Sequence, residues 1–258
     1  MKRIHALEWE DLAWFPAAWR DYGTDYLRFI ALKFDIYKNI RPVIEQGIAA
    51  GDKTSWVDCA SGGGGALLNL AKALHETNPN ARITLTDYYP NKAAFERTVR
   101  LGGSAFSYTT EPVDARQLPE QFAGKFRTLF GAFHHFRPAD AKMILQNAVN
   151  SRSPIAIFEP VGRNAASWFS MLFVPLNVLL LTPFIRPVRW HVLPFIYLLP
   201  LIPLYILWDG VASILRTYSA KELRTLVASL QNTERFTWEI GVKKQGPSGI
   251  TYLLGLPK

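Results

Sequence analysis

The feature that most constrains this 258-residue chain is a regular alternation of strand-like and helical segments between Thr54 and Phe158. Runs rich in β-branched and aromatic residues predict strands at Ser55–Cys59, Arg82–Thr86, Ala105–Thr109, Arg127–Phe133 and Pro154–Phe158. Helical patterns fall at Ala66–Glu76, Asn91–Leu101 and Pro138–Val149. Successive strands joined by helices run parallel, so the pattern predicts an α/β, Rossmann-like sheet covered on both faces. After a helix at Ser219–Leu230, strand-like runs Phe236–Lys243 and Ile250–Leu254 flank Lys-Gln-Gly-Pro-Ser-Gly. That spacing reads as an antiparallel hairpin closing the sheet, which brings the strand total to seven.

Two regions stand outside the alternation. Residues 1–50 read as a helical cap: an aromatic-rich segment ends at Asp21-Tyr-Gly-Thr-Asp, and Thr24 is expected to cap a helix running to about Ala50. Residues 51–258 form the main domain, interrupted by an apolar insertion at 168–208. Trp168–Ile185 carries no charge in 18 residues and Val192–Trp208 none in 17. Eighteen helical residues would span about 27 Å, roughly a hydrocarbon core. Prolines 175, 183, 194, 200 and 203 argue against two clean spanning helices. The insertion is expected to be a helical hairpin that dips into one leaflet or folds over a pocket as a lid.

The net charge of +8 is uneven: Val161–Lys258 holds ten Lys/Arg against four acids, hence +6 of it. A basic and apolar half suits an anionic membrane surface, whereas a basic half alone suits RNA. The single cysteine, Cys59, excludes an intrachain disulfide and gives no Cys-rich metal pattern, so no metal is expected. Glu8, Glu10 and Asp11 interrupt any apolar run of signal-peptide length near the start. The expected location is the cytoplasm or the inner face of its membrane.

The chemistry concentrates in Val57-Asp-Cys-Ala-Ser-Gly-Gly-Gly-Gly65, which follows the first strand and opens a helix. Glycines let backbone approach a ligand closely, and a helix N-terminus favours polar or anionic groups. Acids recur after the next strands, at Asp87 and Asp114. A dinucleotide-binding loop would normally show spaced rather than contiguous glycines, and the closing hairpin is unusual for such a domain. The run Asp58-x-Ala60-x-Gly62-x-Gly64 resembles the first motif of class I S-adenosylmethionine-dependent methyltransferases, with Ala60 in place of the first glycine. The resemblance covers about residues 54–160 and implies a seven-stranded methyltransferase sheet with S-adenosylmethionine as cofactor. It implies that Asp58, Ala60, Ser61, Gly62 and Gly64 form the loop near the methionine end. Asp87 would accept from both ribose hydroxyls. Asp114 would accept from the adenine amino group, with Tyr88 and Ala115 against the ring.

Methyl transfer from a sulfonium asks the protein to align a nucleophile, exclude water and, where needed, remove a proton. Ala132-Phe-His-His-Phe136 at the end of strand four offers His134 or His135 for that proton; Glu159, after strand five, is a weaker candidate. No Asn-Pro-Pro-aromatic run follows strand four, which argues against amino groups of nucleic acids and proteins as acceptors. In lipid-quinone and small-molecule members, the stretch occupied here by Trp168–Trp208 commonly forms part of a substrate lid. The expected reaction is therefore methylation of a lipophilic small molecule: lipid, isoprenoid, quinone-like or polyketide. The alternatives are an RNA or protein methyltransferase using the basic surface, or a non-catalytic membrane-interaction protein that retains the cofactor fold.

Overall fold

The computed structural model describes residues 1–244 and 249–258. Its strands are β1 (Ser55–Asp58), β2 (Arg82–Leu85), β3 (Phe106–Tyr108), β4 (Phe126–Phe130), β5 (Ile155–Glu159), β6 (Phe236–Lys243) and β7 (Ile250–Pro257). They form one sheet in the order β3-β2-β1-β4-β5-β7-β6. All neighbours are parallel except β7, which runs antiparallel to both β5 and β6. The expected closing hairpin is thus present as two strands, while Gln245–Ser248 of its turn lie outside the described residues. Strand order reverses at β1, where Asp58 pairs with Leu85 on one side and Thr128 on the other. A crevice opens at the carboxyl ends of strands at such a reversal.

Each face of the sheet is covered by helices whose apolar residues recur at helical spacing. Helices α2 (Arg41–Ala50), α3 (Leu68–His75) and α4 (Lys92–Gly102) bury Ile44, Leu70, Leu74 and Phe95 against one face. On α5 (Pro138–Asn150), Ala141, Ile144, Leu145 and Ala148 make one stripe against the other face. Beside it lies α10 (Ala220–Ala228), opened by a capping box between Ser219 and Glu222. Every residue of β5 is buried, because the strand has neighbours on both edges and helices on both faces. Full burial of a side chain such as Phe158 contributes about 1.5–3 kcal/mol.

A third apolar cluster joins the cap to the insertion. Helix α1 (Ala17–Lys33) packs against α7 (Val174–Leu181), α8 (Pro194–Tyr197) and α9 (Leu201–Arg216) through Tyr22, Tyr26, Val178, Ile196, Ile202 and Ile206, and α6 (Ala165–Met171) lies against α9. Polar ties reinforce it: Tyr205 Oη donates to Trp19 O (2.6 Å), and Arg189 Nε donates to the fully buried Asp25 (2.9 Å). Pro175 and Pro194 stand in the first turns of α7 and α8, where a missing N–H costs no helical bond.

Two expectations change. Thr24 caps nothing; α1 runs through it, and its hydroxyl donates to Arg20 O (3.2 Å). Gly23, within the stretch expected to separate two segments, is a close-approach position inside α1, because a Cβ there would collide with the Tyr205 hydroxyl. The helical break comes at Phe34–Tyr37 instead. Strand four ends at Phe130 rather than Phe133, since Gly131 adopts φ +57° and turns the chain. His134 and His135 therefore sit on a short 3-10 turn, Phe133–His135, beyond the strand.

Candidate active site

The glycine loop is built by left-handed backbone. Ala60 (φ +52°), Gly62 (φ +55°) and Gly64 (φ +63°) alternate with ordinary residues, so the chain reverses tightly from β1 into α3. Ser61 pins the loop, donating its N–H to Thr86 O (3.0 Å) and its hydroxyl to Asp58 O (2.9 Å). A Cβ on Gly62 would meet nothing within 4 Å, so this glycine faces open space. At Gly64 the left-handed backbone is set against Leu85, which a side chain would overlap.

Asp58 is buried, and its Oδ1 accepts from Thr128 Oγ1 (2.6 Å), which in turn accepts from Trp56 Nε1 (2.7 Å). Burial pushes its carboxyl up to about 7, against the opposing effect of hydrogen bonds from Thr128 and Ser61. Asp87 couples the loop to the end of β2. Its Oδ2 accepts from Gly62 N–H (2.9 Å) and its Oδ1 from Tyr89 N–H (2.9 Å). One backbone donor per oxygen leaves a lone pair on each for a ligand hydroxyl. Burial also raises the Asp87 carboxyl.

Val113 N–H donates to Asp87 O (2.8 Å), which brings the segment carrying Asp114 and Ala115 alongside Asp87. Ala115 is buried, whereas Tyr88 is 49% exposed beside Tyr89. Asp114 is held by the guanidinium of Arg116 (2.7 Å), which keeps its carboxyl below the usual range; Arg116 also reaches Asp140 (3.1 Å). Any further donor at Asp114 would share the carboxylate with Arg116.

The two histidines differ in kind. His134 is buried; its Nδ1 lies 2.9 Å from Glu159 Oε2, and its backbone N–H donates to Glu159 Oε1 (3.0 Å). This two-point tie fixes the ring. His135 is half-buried, its side chain keeping 30% exposure. Its Nδ1 is 3.0 Å from Glu8 Oε2 and 3.4 Å from Asp11 Oδ1. Burial disfavours its charge, but Asp11, Glu8 and Glu10 outweigh burial and raise it to about 9. At Asp87 the positive charge of His135 works in the opposite sense to burial, with the smaller effect.

The sequence did not announce the acids around His135. Glu8 is fully buried and accepts from Arg216 Nη1 (2.8 Å) and Ser213 Oγ (2.9 Å). Arg216 also reaches Asp11 (2.7 Å), while Asp209 accepts from the N–H groups of Trp9 (2.8 Å) and Glu10 (3.1 Å). The N-terminal segment is thereby fastened to α9 across the histidine turn. The Glu-x-Glu-Asp run at 8–11 is the one signal in the sequence for this cluster.

No protein-family model matches this sequence, and no curated protein matches it. Solved structures do. The plantazolicin methyltransferase BpumL, bound to SAH, is 12% identical with a TM-score of 0.53, covering 93% of this chain and 88% of that one. The O-methyltransferase NcsB1 from neocarzinostatin biosynthesis, bound to S-adenosylmethionine and 2-hydroxy-5-methyl naphthoic acid, is 16% identical with a TM-score of 0.54. PigF with SAH is 16% identical with a TM-score of 0.53. Both of these matches cover 97% of this chain, which spans only 61% and 62% of the two neighbours. Strand order, parallel core and closing antiparallel hairpin agree with these likenesses: the chain has the fold of class I S-adenosylmethionine-dependent methyltransferases.

Proposed function

We propose that this protein transfers a methyl group from S-adenosylmethionine to a lipophilic small molecule. The observation that carries the reading is Asp87: its carboxylate is oriented by Gly62 and Tyr89 and keeps a free lone pair on each oxygen, beside a left-handed glycine loop. These residues fit an adenosyl ligand, with Asp87 toward the ribose and Asp114, Ala115 and Tyr88 toward the base. Asp58, Ala60, Ser61, Gly62 and Gly64 would surround the methionine end. When bound, the cofactor supplies an electrophilic methyl group. Neighbours of the same fold are described with that cofactor or with SAH, and one also holds a naphthoic acid.

The chain's own residues supply the rest. With its proton on Nδ1, which lies 3.0 Å from Glu8 Oε2 and 3.4 Å from Asp11 Oδ1, His135 would leave Nε2 to take the proton from an accepting hydroxyl or amine. His134, tied to Glu159, holds the turn. An apolar substrate is supported by the cluster that α1 builds with α7–α9, since α1 also meets the glycine loop, Thr24 against Gly63 and Arg28 against Gly65, and would shield that side from water. Incubation with isotopically labelled cofactor and lipid extracts, read by mass spectrometry, tests the reaction; label confined to protein or RNA would overturn the substrate class. Asp87→Ala should weaken cofactor binding by about 1.5–3 kcal/mol per lost bond, and unchanged calorimetric affinity would remove the ribose assignment.

A further inference from the structure

We propose that the outer face of α6–α9 docks into one leaflet of a lipid bilayer, as a monotopic surface that does not cross it. This goes beyond methyl transfer, and its test needs no turnover.

The face is made by two outward stripes. Phe169, Leu172, Leu176, Leu180 and Phe184 follow helical spacing along α6, α7 and the turn after them, and all are exposed. Leu198, Leu201, Leu204 and Trp208 do the same along α9 and its approach. The inward residues Val178, Ile202 and Ile206 are buried against α1, so the outward ones are a second apolar side, not displaced core. Exposed apolar area on this scale marks an interaction surface.

The surface chemistry selects lipid over a protein partner. From Ala165 to Trp208 the sequence holds no Asp or Glu, and its charged side chains are Arg186 and Arg189. Arg186 is exposed, and so is Trp190 four positions on, at 76%; a cation and an indole on one loop suit a headgroup layer. Four polar side chains in the segment are satisfied by backbone carbonyls of the protein itself. Ser170 donates to Ser167 O (2.8 Å), Tyr197 to Leu179 O (3.0 Å) and Trp208 to Leu7 O (2.9 Å); Thr182 donates to Val178 O (2.5 Å). Hydrocarbon requires such internal satisfaction, whereas a protein interface spends hydrogen bonds across its area.

Geometry argues for docking over crossing. No single described helix is long and apolar enough to span a membrane; the two apolar pairs are bent by 48° and 80°. Arg189, moreover, is bound to Asp25 and Asp21 of α1, which keeps the loop between the pairs on the protein. An apolar substrate dissolved in that leaflet would then lie against the lid.

The test is co-sedimentation of the intact chain with vesicles of phosphatidylcholine alone or mixed with phosphatidylglycerol. We expect binding to both, tighter with the anionic lipid and weaker with it at high salt. Leu172→Glu combined with Leu198→Glu changes two residues that are 72% and 79% exposed, so folding is retained. The pair should lower vesicle affinity by about tenfold or more, with melting temperature unchanged. Absence of wild-type binding to either vesicle overturns the proposal. So does a wild-type dimer that the double variant converts to a monomer while vesicles are ignored, since the occupant would then be a second copy.

Discussion

His135 Nδ1 stands 3.0 Å from Glu8 Oε2, so a histidine on the turn beyond the fourth strand is governed by an acid at the N-cap of the first helical turn of the sequence. The shared proton has a sign that can be checked. His135 is raised from 6.5 to about 9, and it accepts a substrate proton only when neutral. Turnover should therefore climb through neutral pH and level off near the raised value. His135→Asn should lower turnover by about 10²-fold or more and flatten the profile. Stability moves the other way: the part owed to protonated His135 is complete below 6.5 and is lost as pH rises through about 9. Melting temperature should fall over that window in the wild type and not in the variant. A flat wild-type rate profile would show that His135 is structural.

Asp58 makes cofactor affinity depend on pH. Its folded carboxyl sits near 7 instead of 3.8, so it binds a proton over a range where the unfolded chain does not. Its contribution to stability is present below 3.8 and is lost as pH rises through about 7. A cationic ligand favours the ionised form, so S-adenosylmethionine affinity should strengthen as pH rises from acid values through about 7. Calorimetry of Asp58→Asn should show weaker binding without that slope; a slope retained in the variant assigns the proton elsewhere.

Ala60 and Gly64 hold the same backbone handedness with opposite residue choices. Ala60 bears a methyl group at φ +52°, a conformation that costs an L-residue about 1–2 kcal/mol. Ala60→Gly should raise unfolding stability by up to about 1 kcal/mol, part of the gain being offset by the freer unfolded chain. Gly64→Ala should lower it by about 1–3 kcal/mol, because strain is joined by overlap with Leu85. Denaturant midpoints that move the same way in both variants would contradict this account.

The sheet was legible because strand and helix periods differ, and because each turn into a helix left its own residues: glycines after β1, Asn91 before α4, Ser219 before α10. Asp58 and Asp87 were legible for the same reason, standing at strand ends beside those turns. The partners of His135 were not. Glu8 and Arg216 lie 208 positions apart and meet only through tertiary folding, which no local pattern encodes. Asp21-Tyr-Gly-Thr-Asp misled for a related reason: α1 runs through it, and what Gly23 admits there is Tyr205, nearly two hundred positions away.

The Arg216–Glu8 contact also clasps two distant stretches of the sequence. It joins residues 208 positions apart, a separation that tertiary folding alone closes. The carboxylates beside His135 are thus held from α9 through Arg216, which grips both Glu8 and Asp11. A chain cut before α9 would keep the histidine turn but lose the clasp that fixes its acids.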